Sequence, residues 1–130
     1  MSRGRNAGIL LVEPSSLSGG IIVTTARQLN LPAVHLVSSV RSARHRLDTE
    51  DFHGVIVSLE EDKDALLLLE SLRNAKFSAV NPRVPIAVTT SHINASLALQ
   101  MKVLDVRRVL LKPFKVRDVI TTIQMLGHAV

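Results

Sequence analysis

Five short apolar runs alternate with five segments of helical periodicity, and no other feature of the chain constrains its fold as strongly. Gly8–Val12 is continuously apolar and closed by Glu13-Pro14, the pattern of a strand buried on both faces. Ser15–Asn30 follows, with Ile21, Ile22, Ala26 and Leu29 at helical spacing and a stop at Leu31-Pro32. Ala33–Val37 reads as the second strand. Val40, Ala43 and Leu47 give the second helix its apolar face, with Arg41, Arg44, His45 and Arg46 around it. Phe52–Ser58 is the third strand and Glu60–Lys76 the third helix. That helix opens on Glu60-Glu61-Asp62, anions at a positive helix end, and its Leu66–Leu69 run predicts close packing nearly all round. Val84–Thr89 is the fourth strand. Asn94 caps a helix carrying Leu97, Met101 and Leu104. Arg107–Leu111 is the fifth strand, and Val116, Ile120, Ile123 and Leu126 mark the last helix. Strict alternation of this kind predicts an α/β domain with a five-stranded parallel sheet covered on both faces. Right-handed crossovers make it doubly wound.

Composition narrows the class. A chain of 130 residues is one domain that buries roughly two-thirds of its unfolded surface. Residues 1–7 read as a basic tail and 8–130 as the domain. Phe52, Phe77 and Phe114 are the only aromatics, so Leu, Val, Ile and Ala must fill the core. The absence of cysteine excludes disulfides, thiolate chemistry and thiolate metal sites. Glu13-Pro14 cuts the first apolar run short of a signal-peptide core, and no run reaches the roughly 18–20 residues that cross a bilayer. A soluble, cytoplasmic protein without membrane association is expected. His35, His45, His53, His92 and His128 show no metal-ligand spacing. The net charge of +5 is unevenly spread. Eight of the eleven acids fall between Asp48 and Glu70, whereas nine Lys/Arg face only Asp105 and Asp118 from Ser71 onward. The domain should be acidic along one helix and basic elsewhere.

In an open parallel sheet the site lies at the carboxyl ends of the strands. The residues ending strands one, three, four and five are Glu13, Ser58, Thr89-Thr90 and Lys112. They should converge although they lie far apart in sequence.

With these residues in place the chain resembles a response-regulator receiver (CheY-like) domain over roughly Gly8 to the C-terminus. Ile9-Leu-Leu-Val-Glu13-Pro14 occupies the place of the family's first strand and acidic pair. Val55-Ile-Val-Ser58-Leu59 occupies the third strand and phosphoacceptor. Val84-Pro-Ile-Ala-Val-Thr-Thr90-Ser91 matches the fourth strand with its hydroxyl residue, and Leu110-Leu-Lys112-Pro113-Phe114 the Lys-Pro-Phe ending. The resemblance implies a flavodoxin-like (βα)5 fold with strand order 2-1-3-4-5. It also implies a pocket where the acidic pair and an aspartate bind Mg²⁺, and where that aspartate takes phosphate from a histidine kinase. The hydroxyl residue and the lysine then hold the phosphoryl oxygens, and a cis Lys112–Pro113 bond is usual.

Carried over by position, the pocket is degenerate. Glu13 keeps one acid, Pro14 replaces the second, and Ser58 replaces the nucleophile. Thr90 and Lys112 remain, and Val109 stands where an aromatic switch residue is usual. One carboxylate is a poor donor set for Mg²⁺, so neither metal nor cofactor is expected. A serine hydroxyl cannot form an acyl phosphate, and Glu13 is its only candidate base. Lys112, left without an aspartate or phosphate, needs an acceptor, and Glu13 is the natural one. Valine is too short and too stiff at χ1 to report motion of Thr90.

The reading that follows is an atypical receiver that acts by protein–protein interaction in signal transduction without aspartyl phosphorylation, and not an enzyme. The expected partner surface is formed by the fourth helix, fifth strand and fifth helix. Lys102, Arg107, Arg108 and Lys115 make it basic, and Val103, Val106 and Val109 add apolar area. An acidic signalling protein, or a second copy in a homodimer, would dock there. The alternative is a phosphate-ligand module, nucleotide or nucleic acid, gripped by Arg3, Arg5, Arg41, Arg44 and Arg46. The absence of a Gly-rich phosphate loop, and of a stacking aromatic near these arginines, counts against it.

Overall fold

The computed structural model describes residues 8–60 and 63–127. The elements are β1 (Ile9–Val12), α1 (Ser16–Gln28), β2 (Val34–Val37), α2 (Val40–Thr49), β3 (Gly54–Ser58) and α3 (Lys63–Arg73). They continue with β4 (Ile86–Thr90), α4 (Ala95–Val103), β5 (Arg108–Leu111) and α5 (Val116–Gly127). The five strands are all parallel, in the order β2-β1-β3-β4-β5. This is the doubly wound, flavodoxin-like sheet that the alternation predicts. The basic tail, residues 1–7, lies outside the described residues, as do Glu61, Asp62 and His128.

The strands are apolar without interruption because each face of the sheet is covered. Leu10, Val12, Val55, Val57, Ile86 and Val88 point to one face, where Leu47, Leu68, Leu69, Leu72 and Met101 of α2, α3 and α4 cover them. Ile9, Leu11, Ile56, Ala87 and Leu110 point to the other, under Ile22, Ala26, Val119, Ile123 and Leu126 of α1 and α5. Each such fully buried aliphatic side chain contributes roughly 1.5–3 kcal/mol. On the second face α5 comes very close to the sheet: a Cβ on Gly54 would stand 2.8 Å from Leu126 Cβ. Not every expected core position is buried. Leu67 is 51% exposed, so the Leu66–Leu69 run packs on one side only, and Leu29 is equally exposed beyond the end of α1.

The helices start and stop by identifiable devices. Ser15, Ser39 and Asn94 cap α1, α2 and α4, accepting from the N–H of Ser18, Ser42 and Leu97. Three helices end on a residue with positive φ, Asn30 after α1, Ala75 after α3 and Asp105 after α4. Behind each, paired N–H groups reach back to the last turn, Leu31 to Ala26 and Asn30 to Arg27, Lys76 to Ser71 and Ala75 to Leu72, Val106 to Met101 and Asp105 to Lys102. This is the Schellman arrangement, built three times without glycine.

At the amino ends of the strands, one side chain joins three segments. Arg73 donates to the carbonyls of Leu104 (2.7 Å), Pro82 (2.9 Å), Val84 (2.7 Å) and Asp105 (3.1 Å). It thereby ties the end of α3 to the lead into β4 and to the end of α4. Its guanidinium pKa is lowered, by burial first; Arg107 and Arg83 lower it further, while Asp105 acts against them.

Three boundaries differ from the sequence reading. The fourth strand begins at Ile86 and runs through Thr90, because Pro85 has no N–H for the ladder. The third begins at Gly54; before it, the N–H of His53 donates to the carbonyl of Gly8, ahead of the regular ladder. The third helix begins at Lys63, and Glu60 belongs to the loop before it, where it bonds across to Ser91.

Candidate functional site

The carboxyl ends of the strands gather the residues that the sheet topology places there. Glu13 follows β1 directly and its N–H donates to Val37, extending the pairing with β2. The side chain is only 2% exposed. Oε2 accepts from the N–H of Ser15 at 2.9 Å, so the residue that caps α1 also anchors this carboxylate. Oε1 lies 2.8 Å from Lys112 Nζ, a close ion pair. Lys112 comes from the end of β5, with its N–H on the carbonyl of Thr90 and a cis peptide bond to Pro113. The pair expected between Lys112 and Glu13 is therefore formed.

Ser58, the last residue of β3, is buried and accepts from Lys112 Nζ at 3.4 Å. A hydroxyl facing an ammonium is not activated as a nucleophile, since its oxygen serves a cation and no base takes its proton. Beside it in the sheet register stands Thr89, fully buried, whose Oγ1 has no hydrogen-bond partner among the described residues. Thr90 is turned away from this group. Its hydroxyl donates to the carbonyl of His92 at 2.9 Å, inside its own loop. Pro14 is exposed at the rim. The structure thus brings Glu13, Ser58 and Lys112 into direct contact and leaves Thr90 and Pro14 at the margin.

Above this group the two loops are joined. Glu60, after β3, accepts from the Ser91 N–H at 2.6 Å through Oε1 and from the Ser91 hydroxyl at 2.9 Å through Oε2. Sequence reasoning assigned Glu60 to a helix end and gave Ser91 no role. The two are 31 positions apart and carry no local signal of their meeting.

No protein-family model matches the chain, and no curated protein matches it by sequence. Solved structures do match. A response regulator from Thermotoga maritima superposes with a TM-score of 0.80 at 16% identity, over 95% of this chain and 98% of its own. The chemotaxis protein CheY4 of Vibrio cholerae gives 0.78 at 17%, over 92% and 98%. An orphan response regulator of H. pylori gives 0.78 at 17%, over 98% and 100%. The chain has the receiver fold. At these identities the likeness is one of architecture.

On the receiver fold, the surface formed by α4, β5 and α5 holds the other residues singled out from sequence. Lys102, Val103, Arg107 and Lys115 are exposed, and Val103 is 84% exposed. Arg108 is half-buried and pairs with Asp118 of α5 at 3.4 Å. Val106 and Val109 pack against the core from this side, so they contribute less outer area than their sequence positions imply. The basic residues do not form one cluster. Arg107 stands at the amino end of β5, and Lys115 lies beyond its carboxyl end, about 13 Å of strand away.

The arginines of α2 are largely committed. Arg44 donates to Ser71 and lies over the Phe77 ring; Arg46 is held bidentately by Glu50 and lies over Phe52. Arg41 is exposed, and Arg3 and Arg5 are outside the described residues. No helix among the described residues is long and apolar enough to cross a membrane.

Proposed function

We propose that this chain is a signalling module on the receiver fold that works by binding a partner protein, without phosphorylation at the end of β3. The observation that carries the reading is the buried Lys112–Glu13 pair with Ser58 beside it. In the fold's usual chemistry the lysine serves a phosphoryl group on an aspartate; here its charge is neutralised internally. The donor set does not fit Mg²⁺, which takes six oxygens in near-ideal octahedral geometry and one or two carboxylates. Glu13 is the one carboxylate of the group and both its oxygens are engaged, while Pro14 offers no side-chain oxygen. No step of a catalytic cycle is assigned to these residues, and the module acts as a binder, not an enzyme.

The partner-facing surface is that of α4, β5 and α5, where Val103 is bare and Lys102, Arg107 and Lys115 project. An acidic partner is favoured there, mainly through its rate of association. A second copy docking on the same surface is the competing occupant.

The deciding experiment is an amide NMR titration of the whole chain with beryllofluoride and Mg²⁺, repeated with acetyl phosphate. The reading expects unchanged spectra. Saturable shifts centred on Glu13, Ser58, Thr90 and Lys112 would sink it.

A further inference from the structure

The amino ends of the strands, opposite the pocket just described, form a second concavity. Its volume is about 410 Å³, within the range of small-molecule clefts. The leads into three adjacent strands build it: residues 51–53 before β3, 81–85 before β4, and Arg107 before β5. Its inner side is apolar, formed by the buried Phe52 and Val84 and the half-buried Pro85.

Its outer side is cationic. Arg83 and Arg107 line it, both exposed, and neither guanidinium makes a hydrogen bond or ion pair among the described residues. His53 lines it too, likewise without a partner. Asp51 is the only acid in the lining. Behind the cleft, Arg73 is already saturated by four carbonyls, so it neutralises nothing and adds a third guanidinium to the neighbourhood. Arg107 and Arg83 both act to lower its pKa, after burial, which places the three charges within electrostatic reach of one another. The backbone that presents Arg83 is fixed: its N–H donates to Asn81 Oδ1 at 2.8 Å, and the Val84 N–H donates to the Asn81 carbonyl at 2.9 Å. A rigid turn therefore carries one free guanidinium and the start of a core strand carries the other.

We propose that this cleft binds a phosphate monoester with an apolar body, its phosphoryl group held by Arg83 and Arg107 and its body on Phe52, Val84 and Pro85. Guanidinium groups suit phosphate because their planar donors match two oxygens at once. An apolar body distinguishes such a ligand from a free anion, because it removes the inner wall from water. None of the arginines weighed from sequence for phosphate binding lies here except Arg107, which was assigned to the partner surface. The proposal stands whether or not the partner-binding reading does.

The test uses the whole chain and phenyl phosphate as probe, followed by amide NMR at constant ionic strength, with inorganic phosphate alongside. The expected result is saturable shifts at residues 51–53, 81–85 and 107, with phenyl phosphate binding more tightly than phosphate. Arg83→Gln and Arg107→Gln should each weaken it by about tenfold or more, the scale of one charge-assisted hydrogen bond. Arg41→Gln, an exposed arginine elsewhere, should leave it unchanged. The absence of saturable shifts, shifts centred on other residues, or equal affinity in both cleft variants would each overturn the proposal. Equal melting temperatures among the variants show that a loss is not one of folding.

Discussion

Glu60 and Ser91 are bonded twice across the mouth of the sheet, at 2.6 and 2.9 Å, and so join the loop after β3 to the loop after β4. Both residues are exposed, so the joint holds the loops in register more than it stabilises the fold. Ser91→Ala should cost no more than about 1 kcal/mol. Amide hydrogen exchange at residues 91–94 should nevertheless quicken, while the strands keep their protection. Unchanged exchange in that loop would show that the joint does not restrain it.

The Lys112–Glu13 pair behaves differently because it is buried. Lys112→Met leaves a carboxylate that is 2% exposed without its cation, which should cost about 3–5 kcal/mol in urea unfolding. Glu13→Gln together with Lys112→Met should recover a large part of that loss, since two neutral groups need no counter-charge. Additive losses in the double variant would mean that the pair is not coupled.

The Arg46–Glu50 pair gives a pH signature. The hydrogen bond from Arg46 holds the Glu50 carboxyl below its ordinary value of 4.5, burial opposing this and the guanidinium charge assisting. A depressed carboxyl pKa contributes stability that is fully present above the unfolded value and lost as pH falls through the folded one. Glu50→Gln should therefore narrow its stability gap to the parent protein as the pH is lowered from 7 to 3. Both side chains are about one-third exposed, so the gap is small and shrinks further in salt. Urea titrations at several pH values read it directly.

Two backbone positions should accept stabilising changes. Ala75 sits at φ 59, where an alanine Cβ is crowded, so Ala75→Gly should raise stability by about 0.5–1 kcal/mol. Gly20 lies inside α1, and a Cβ there would meet nothing within 4 Å, so Gly20→Ala should gain about as much. Gly127→Ala is the contrasting case, because the new Cβ would lie 2.5 Å from Pro32 Cγ. Thermal unfolding should show the first two shifting upward by roughly 3–5 °C and the third downward.

The sequence carried the sheet well because both of its faces are buried, so each strand is a continuous apolar run with a polar residue at its end. That is why Glu13, Ser58 and Lys112 could be expected to meet. It carried the helix ends poorly. Asn30, Ala75 and Asp105 all turn left-handed, and an alanine gives no hint of it. The Glu60–Ser91 joint was hidden for another reason: an acid two residues after a strand reads as a helix-start anion, and only the tertiary fold brings Ser91 to it. Thr89 was seen only as a strand-end neighbour of Thr90. That its hydroxyl faces a dry interior beside Ser58 depends on the strand register.

Arg73 gives the two poles of the domain unequal stiffness. One guanidinium grips four carbonyls where the strands begin, whereas exposed side chains bridge the loops where they end. Any breathing of the molecule should therefore pivot about a firm floor and open at the roof. A ligand settling into the floor would find its walls already set, and would forfeit little freedom of the protein in binding.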